Sequence, residues 1–429
     1  MHTRNWLRRR ITSILLNQPQ LALTGAPFDL APRFQGIQDL GLYLHIPFCR
    51  QICPYCPYNK ELYRPAVAQA YTQAVLREID RYAPLVGRLP VTSFYIGGGT
   101  PTTMLRAGLA AILEHIGRSF NMQCGIHLES HPADLTPANL ADIRAMGVDH
   151  LSMGVEALQD RHLRALCRPY TAAQALAAVE RAVSQGFTCV NVDLIFALPH
   201  QTHAELSQAA GALIELGVHQ VAAYPLFSFP YTRWPRLAQH HRYPRYNLLQ
   251  KRHMLRVLEG AFYAAGYQRT SVWAFTRPDS PSYCSVTVPL YLGLGASAAS
   301  YLRDIFYLNT FDTQEYVRAL ADGRMPIALS LELSARMQMA GWLYWRIYQT
   351  RFKKSDFESR FHQAFDAVYG RYLGLFSWLG LLVERGDEII LTDAGAYWLH
   401  ALQDFFSIGY VSTLWGTSNQ APWPAQVIL

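Results

Sequence analysis

Gly41-Leu-Tyr-Leu-His-Ile-Pro-Phe-Cys49-Arg-Gln-Ile-Cys53-Pro-Tyr-Cys56-Pro-Tyr-Asn59 reads as an apolar strand that runs into a loop with cysteines at C-x3-C-x2-C spacing. Three thiolates from one loop suit three irons of a four-iron, four-sulfur cluster, whereas a structural zinc or an ordinary electron-transfer cluster takes four protein ligands. The remaining iron is then open to an outside ligand. Spacing alone leaves two other readings: a chance group of core cysteines, and a zinc site completed by His45 or a distant residue.

Outward from this loop, short β-rich runs alternate with amphipathic stretches as far as residue 226. The strand candidates are Gly41 to Ile46, Thr92 to Ile96, Ile126 to Ser130, Asp149 to Met153, Cys189 to Ile195 and Gln220 to Tyr224. The helical patterns between them are Ala68 to Tyr82, Met104 to Ser119, Pro137 to Met146, Thr171 to Gln185 and His203 to Leu216. Six strand-helix repeats of one hand predict an α/β fold in which a parallel sheet curls into an open six-unit β/α barrel. Chemistry in such sheets lies beyond the carboxyl ends of the strands. The cysteine loop, Gly97-Gly-Gly-Thr-Pro101, Glu129 and Asp193 all fall on that rim.

At 429 residues and 50% hydrophobic, the chain can bury a large core. No apolar run reaches the roughly 18 to 20 residues of a membrane span, and Ile11 to Leu16 is too short for a secretory signal. Of its seven cysteines, Cys124, Cys167, Cys189 and Cys284 are dispersed, which is no disulfide framework. A reducing, cytoplasmic setting is expected. The +7 charge is scattered, with Arg4, Arg8, Arg9 and Arg10 the tight run, and this argues against a nucleic-acid partner.

A cluster with an open iron can take the amino and carboxylate groups of S-adenosylmethionine (SAM), with the protein supplying binding and orientation. The glycine run at 97–99 offers bare backbone to the methionine part, although most glycine triplets are turns. Glu129 can accept from the ligand's ammonium or ribose, or pair with a surface arginine. Asp193, inside Val192-Asp-Leu-Ile-Phe196, is costly to bury without a partner and is therefore a functional candidate.

With these residues the chain resembles the oxygen-independent coproporphyrinogen III oxidase family of radical SAM enzymes. The matching stretches are Tyr43 to Cys49, Gly97 to Thr102, Leu128-Glu129 with Pro132, Leu151 to Val155, Arg168, Asn191 to Ile195, Leu198-Pro199, Gln201-Thr202 and Gly295 to Ser300, within residues 40 to 405. The resemblance implies a [4Fe-4S] cluster on Cys49, Cys53 and Cys56, and a SAM contacted by Tyr43, Gly99, Thr100 and Glu129. It also implies room for a second SAM near Tyr55, Gly98, Arg168 and Asp193, and a porphyrin-type or aromatic substrate served by a low-potential electron donor. Two positions depart from the oxidases: Tyr58 replaces a fourth cysteine, and Glu156 replaces a glutamine beside the second site. The heme chaperone branch shares an aromatic at that cysteine position, but its His-Asn-x-x-Tyr-Trp motif is missing from Cys284 to Tyr291. A third branch, methyltransferases and cyclopropanating enzymes, uses both SAM molecules.

The expected organisation is an N-terminal arm (1–40), the partial barrel (41–230), an extension with the substrate or second-SAM region (231–328), a helical, winged-helix-like module (329–410) and a weakly periodic tail (411–429). Within the extension, the basic and aromatic stretch Arg233 to Tyr246 is a candidate partner for substrate propionates, or a solvated loop. Gly293 and Gly295 either bring backbone close to a ligand or form a turn packed on the barrel. The hairpin of the module is expected around Arg385-Gly386-Asp387, and the tail is a candidate active-site cover or a disordered end.

Overall fold

The structure, a computed structural model, describes residues 20–282 and 289–429. The basic run at Arg4 to Arg10, the Ile11 to Leu16 stretch, the rest of the N-terminal arm up to residue 19, and Cys284 lie outside the described residues.

Six parallel strands form the barrel: β1 (Leu40–Ile46), β2 (Pro90–Gly98), β3 (Ile126–Ser130), β4 (Val148–Glu156), β5 (Cys189–Phe196) and β6 (Gln220–Pro225). The helices α1 (Pro65–Val86), α2 (Leu109–Ser119), α3 (Pro137–Ala145), α4 (Ala172–Ser184) and α5 (His203–Glu215) lie between them. Local chemistry sets the helix starts. Thr171 and Thr202 each cap through a reciprocal box with Gln174 and Glu205, and Thr136 caps α3. The pattern from Met104 to Ser119 divides into a 3-10 turn at Pro101–Met104 and α2. Gly108, at φ +115 and tight against the Thr72 side chain, interrupts it.

The sheet does not stop at six strands. Tyr291–Leu294 adds in parallel beside β1, followed by the antiparallel strands Ala299–Leu302, Ile305–Asn309 and Ile327–Glu332, then Ala22–Thr24 and Gln426–Ile428. Beyond β6 the other edge carries Ala274–Thr276 and Gln268–Arg269. The barrel is therefore open, with a long half-barrel extension. Gly295, at φ +101, sits against Tyr71 and the His45 carbonyl, so this glycine segment is a turn packed on the barrel.

The C-terminal module has its own apolar core of Trp342, Phe352, Phe357, Phe365 and Ile389. It consists of α6 (Ala335–Gln349), α7 (Lys354–Phe361), α8 (Phe365–Trp378) and a three-stranded sheet whose hairpin turns at Gly386, in a winged-helix-like order. Two expectations need correction here. The helical pattern expected from Leu329 begins at Ala335, because Ile327–Glu332 completes the sheet and Ser334 caps the helix. The tail is also ordered: α9 (Asp393–Ser418) runs through Tyr410, and Gln426–Ile428 is a strand. Leu414 and Trp415 pack into a cluster with Leu23, Leu308, Phe311 and Val427, so burial organises a segment with weak amphipathic periodicity. Among the described residues, no helix is long and apolar enough to cross a membrane.

Candidate functional site

Side chains alternate along each strand, so the inward positions of neighbouring strands stack in layers inside the barrel. One layer joins Glu129, Ser152, Asn191 and Gln220 across β3 to β6. The next layer towards the carboxyl ends joins Gly154, Asp193 and Ala222. Together they floor a cavity of about 480 Å³ on the rim side. Its walls include all three loop cysteines, Gly98 to Thr100, Phe227, Phe229 and, from α9, Ser407, Ile408 and Val411. Helix α9 is thus part of the cover.

The cysteine loop is held from several sides. Tyr63 and Trp234 donate backbone N–H groups to the Cys49 and Pro54 carbonyls at 2.9 Å, and the Tyr231 hydroxyl reaches the Pro57 carbonyl at 3.1 Å. Thr100 Oγ1 lies 3.6 Å from Cys49 Sγ, and Arg168 Nη1 donates to Cys53 Sγ at 3.3 Å. All three cysteines are free thiols. Burial raises the Cys49 thiol and pushes Cys56 up to about 12, so both keep their protons until a metal displaces them. Three free thiols on one braced loop fit a thiolate-held iron-sulfur cluster. His45 does not complete a zinc site there, since Nδ1 meets the Tyr43 hydroxyl at 2.9 Å and Nε2 the Asn59 carbonyl at 3.1 Å.

Glu129 is fixed by the Tyr95 hydroxyl at 2.6 Å and the Gly98 N–H at 3.1 Å. The glycines beside it leave no room for side chains: a Cβ at Gly97 would crowd Tyr95 and the Glu129 carboxyl, and one at Gly99 would meet the Phe48 backbone. Across the cavity, Asn191 Nδ2 donates at 2.8 Å to both Asp193 Oδ1 and Ser152 Oγ. Gln220 holds Asn191 Oδ1 at 3.0 Å and accepts from Thr276 at 2.8 Å. Glu156, at φ +69, accepts from the Tyr224 hydroxyl at 3.2 Å and lies 3.8 Å from Arg168 Nη2. Arg168 also donates to the Gly154 carbonyl, and at 2.8 Å to Tyr170.

Burial raises Glu129, Glu156 and Asp193 above the usual carboxylate range, and for Asp193 the other two carboxylates add to it. Three acids around one arginine make a pocket suited to ligands that carry both ammonium and carboxylate groups. Tyr43, Tyr55, Gly98, Gly99, Thr100, Glu129, Glu156, Arg168 and Asp193 all lie at the cavity or directly behind it, with Tyr43 packed on Tyr95 below the floor. The Arg233 to Tyr246 stretch does not line the cavity. It forms the helix Trp234–His240 and braces the cysteine loop. Sequence reasoning missed the Asn191–Gln220–Thr276 relay, Tyr95 and the Ser407 and Ile408 part of the α9 face, whereas Val411 lies in the tail expected as a candidate cover. Alternation from Asp193 and from Gly97 would have found Asn191 and Tyr95.

Residues 43–213 match the Radical SAM superfamily model. Heme chaperone HemW of Bacillus subtilis is 25% identical over 360 residues, covering 82% of this chain and 95% of that protein. An oxygen-independent coproporphyrinogen III oxidase of Bradyrhizobium diazoefficiens is 28% identical over 340 residues, 70% of this chain and 74% of its own. The solved coproporphyrinogen III oxidase (HemN) of Escherichia coli superposes with a TM-score of 0.75 at 23% identity, covering 91% of this chain and 94% of that one, which is a likeness of fold. The cysteine loop, the open β/α barrel and these matches together give the chain a radical SAM domain over residues 43–213, and over most of its length the chain is similar to HemW and to oxygen-independent coproporphyrinogen III oxidases.

Proposed function

We propose that the chain is an enzyme that uses SAM reductively and acts on an extended conjugated substrate of porphyrin type. The supporting observation is the convergence on one cavity of three free thiols, the Glu129, Glu156, Asp193 and Arg168 set, and an aromatic wall. A [4Fe-4S] cluster on Cys49, Cys53 and Cys56 supplies, when bound, the electron from a low-potential donor that cleaves SAM to methionine and a 5′-deoxyadenosyl radical. The chain's own residues bind and orient. Gly99 and Thr100 present backbone to the methionine part, Glu129 accepts from its ammonium or ribose, and Tyr43 backs this wall through Tyr95. Arg168 and Asp193, with Tyr55, Gly98 and Glu156, offer the complementary charges for a second SAM. The planar substrate lies against Phe227, Phe229 and the half-exposed Tyr58, under α9.

Product analysis by mass spectrometry tests this reading. The reduced, anaerobic, cluster-loaded protein is offered coproporphyrinogen III, heme and methyl-labelled SAM side by side. Decarboxylated porphyrinogen with 5′-deoxyadenosine supports the oxidase reading, and labelled methyl in a product supports a two-SAM methyltransferase or cyclopropanase. Neither product from an intact cluster rejects the enzyme.

A second reading, a heme chaperone without turnover, is favoured by Tyr58 at the place of the oxidases' fourth cysteine and by the HemW relatives. Tight stoichiometric heme binding in a protein that leaves SAM intact would select it.

A further inference from the structure

Beneath the cavity floor the strands carry one more inward layer, at their amino ends. The ladder places Tyr43, Tyr95, His127, His150 and Cys189 side by side across β1 to β5. Layers of this kind are ordinarily filled by branched apolar side chains. Here two imidazoles stack face to face, with ring centres 4.0 Å apart and planes within 18°. Asp149 turns back towards them, its Oδ1 3.0 Å from His150 Nδ1. This turn depends on Gly125, because any Cβ there would overlap the Asp149 carboxylate. One donor atom from each of His127, Asp149 and His150 lies within 4.8 Å of the other two.

We propose that His127, Asp149 and His150 form a second metal site, separate from the cysteine loop, for a divalent transition ion of the zinc type. Two imidazoles and a carboxylate are a donor set for zinc or ferrous iron, not for magnesium or calcium, which prefer all-oxygen shells. Closing on an ion at roughly 2.1 Å requires donors about 3.4 Å apart, so the side chains draw together and the rings tilt out of their stack.

The site ties β3 to β4 two residues below Glu129. Tyr95 touches both levels, with its ring 6.4 Å from that of His127 and its hydroxyl on Glu129. Metal at this position therefore stiffens the support of the cavity floor. The inference does not depend on the radical reading, because none of its donors belongs to the cysteine loop.

The test uses the full chain with its cluster loaded, iron and sulfide being measured so that the cysteine loop is known to be occupied. Equilibrium dialysis against radioactive zinc should leave a single ion per chain, and zinc should raise the thermal midpoint by mass action. H127Q/H150Q and D149N should each weaken zinc retention at least about tenfold, as loss of a supporting ligand group does. The exposed pair variant H240Q/H241Q should retain the ion. No retained zinc and no thermal shift in the unmodified chain would overturn the site, as would equal retention by H127Q/H150Q. Should that double variant not fold, D149N at its part-exposed position and the unmodified chain's own thermal shift decide the matter.

Discussion

At the carboxyl ends of the barrel strands the inward positions are acids, amides and glycines around a cavity. Two residues lower, the same strands turn tyrosines, histidines and a cysteine into a filled interior. The same period of two carries both layers, except where the β3–β4 pairing shifts register between Ile126 and His127 and Asp149 turns towards the lower layer. The difference lies in access: the rim layer is covered by a helix from the far end of the chain and has room for ligands, whereas the lower layer has only its own side chains. Buried polar groups therefore face a ligand cavity at the rim, and below it they face one another at the site proposed for a metal ion.

Removing the rim's metal donors separates the two layers most sharply. C53A, which takes one thiol from the loop, should abolish cluster loading and lower 5′-deoxyadenosine formation to background, with zinc retention at His127 and His150 unchanged. Iron, sulfide and product measurements check this. R168A leaves Glu156 buried without its nearest cation and strips Cys53 and Tyr170 of a donor. It should cost about 3–5 kcal/mol of stability in denaturant titration. Equal behaviour of R168A and the unmodified chain would mean that the rim charges are solvated after all.

Glu78 on α1 probes what supports the rim. It is fully buried and accepts from Gly295 N at 2.7 Å, Asn309 Nδ2 at 2.7 Å and the Tyr316 hydroxyl at 2.6 Å, while Tyr71 on the same helix holds the His45 carbonyl at 2.6 Å. Burial pushes Glu78 up to about 7 against the favourable pull of those donors. Because the folded value lies above the unfolded one, its contribution is present below about 4.5 and is lost as pH rises through about 7, on the order of 3 kcal/mol over that window. Thermal midpoints of the unmodified chain should fall across this range, and those of E78Q should be flatter.

The smallest effect is expected at Glu129. E129Q keeps one acceptor oxygen, for the Gly98 N–H, turns an amide NH2 towards the Tyr95 hydroxyl, and loses the charge proposed to face the ligand's ammonium. SAM affinity should drop about ten- to a hundredfold, the worth of a charged hydrogen bond, in isothermal titration. Unchanged affinity would move the ammonium elsewhere, to Asp193 or Glu156.

Much of this molecule could be read from the chain before any coordinates. The cysteine spacing, the six β/α repeats and the placing of Glu129 and Asp193 near strand ends are local properties, set by covalent spacing and by the two periods of 2 and 3.6 residues. Local sequence therefore determined the barrel, its rim and the three thiols on the loop. It could not determine partners distant along the chain. That His45 is engaged by Tyr43 and Asn59, that Arg233 to Tyr246 braces the loop instead of lining the cavity, that α9 closes the mouth and that His127 meets Asp149 and His150 were decided only by tertiary packing. Such contacts join residues through the curvature and register of a sheet, and no window of neighbouring residues contains that information.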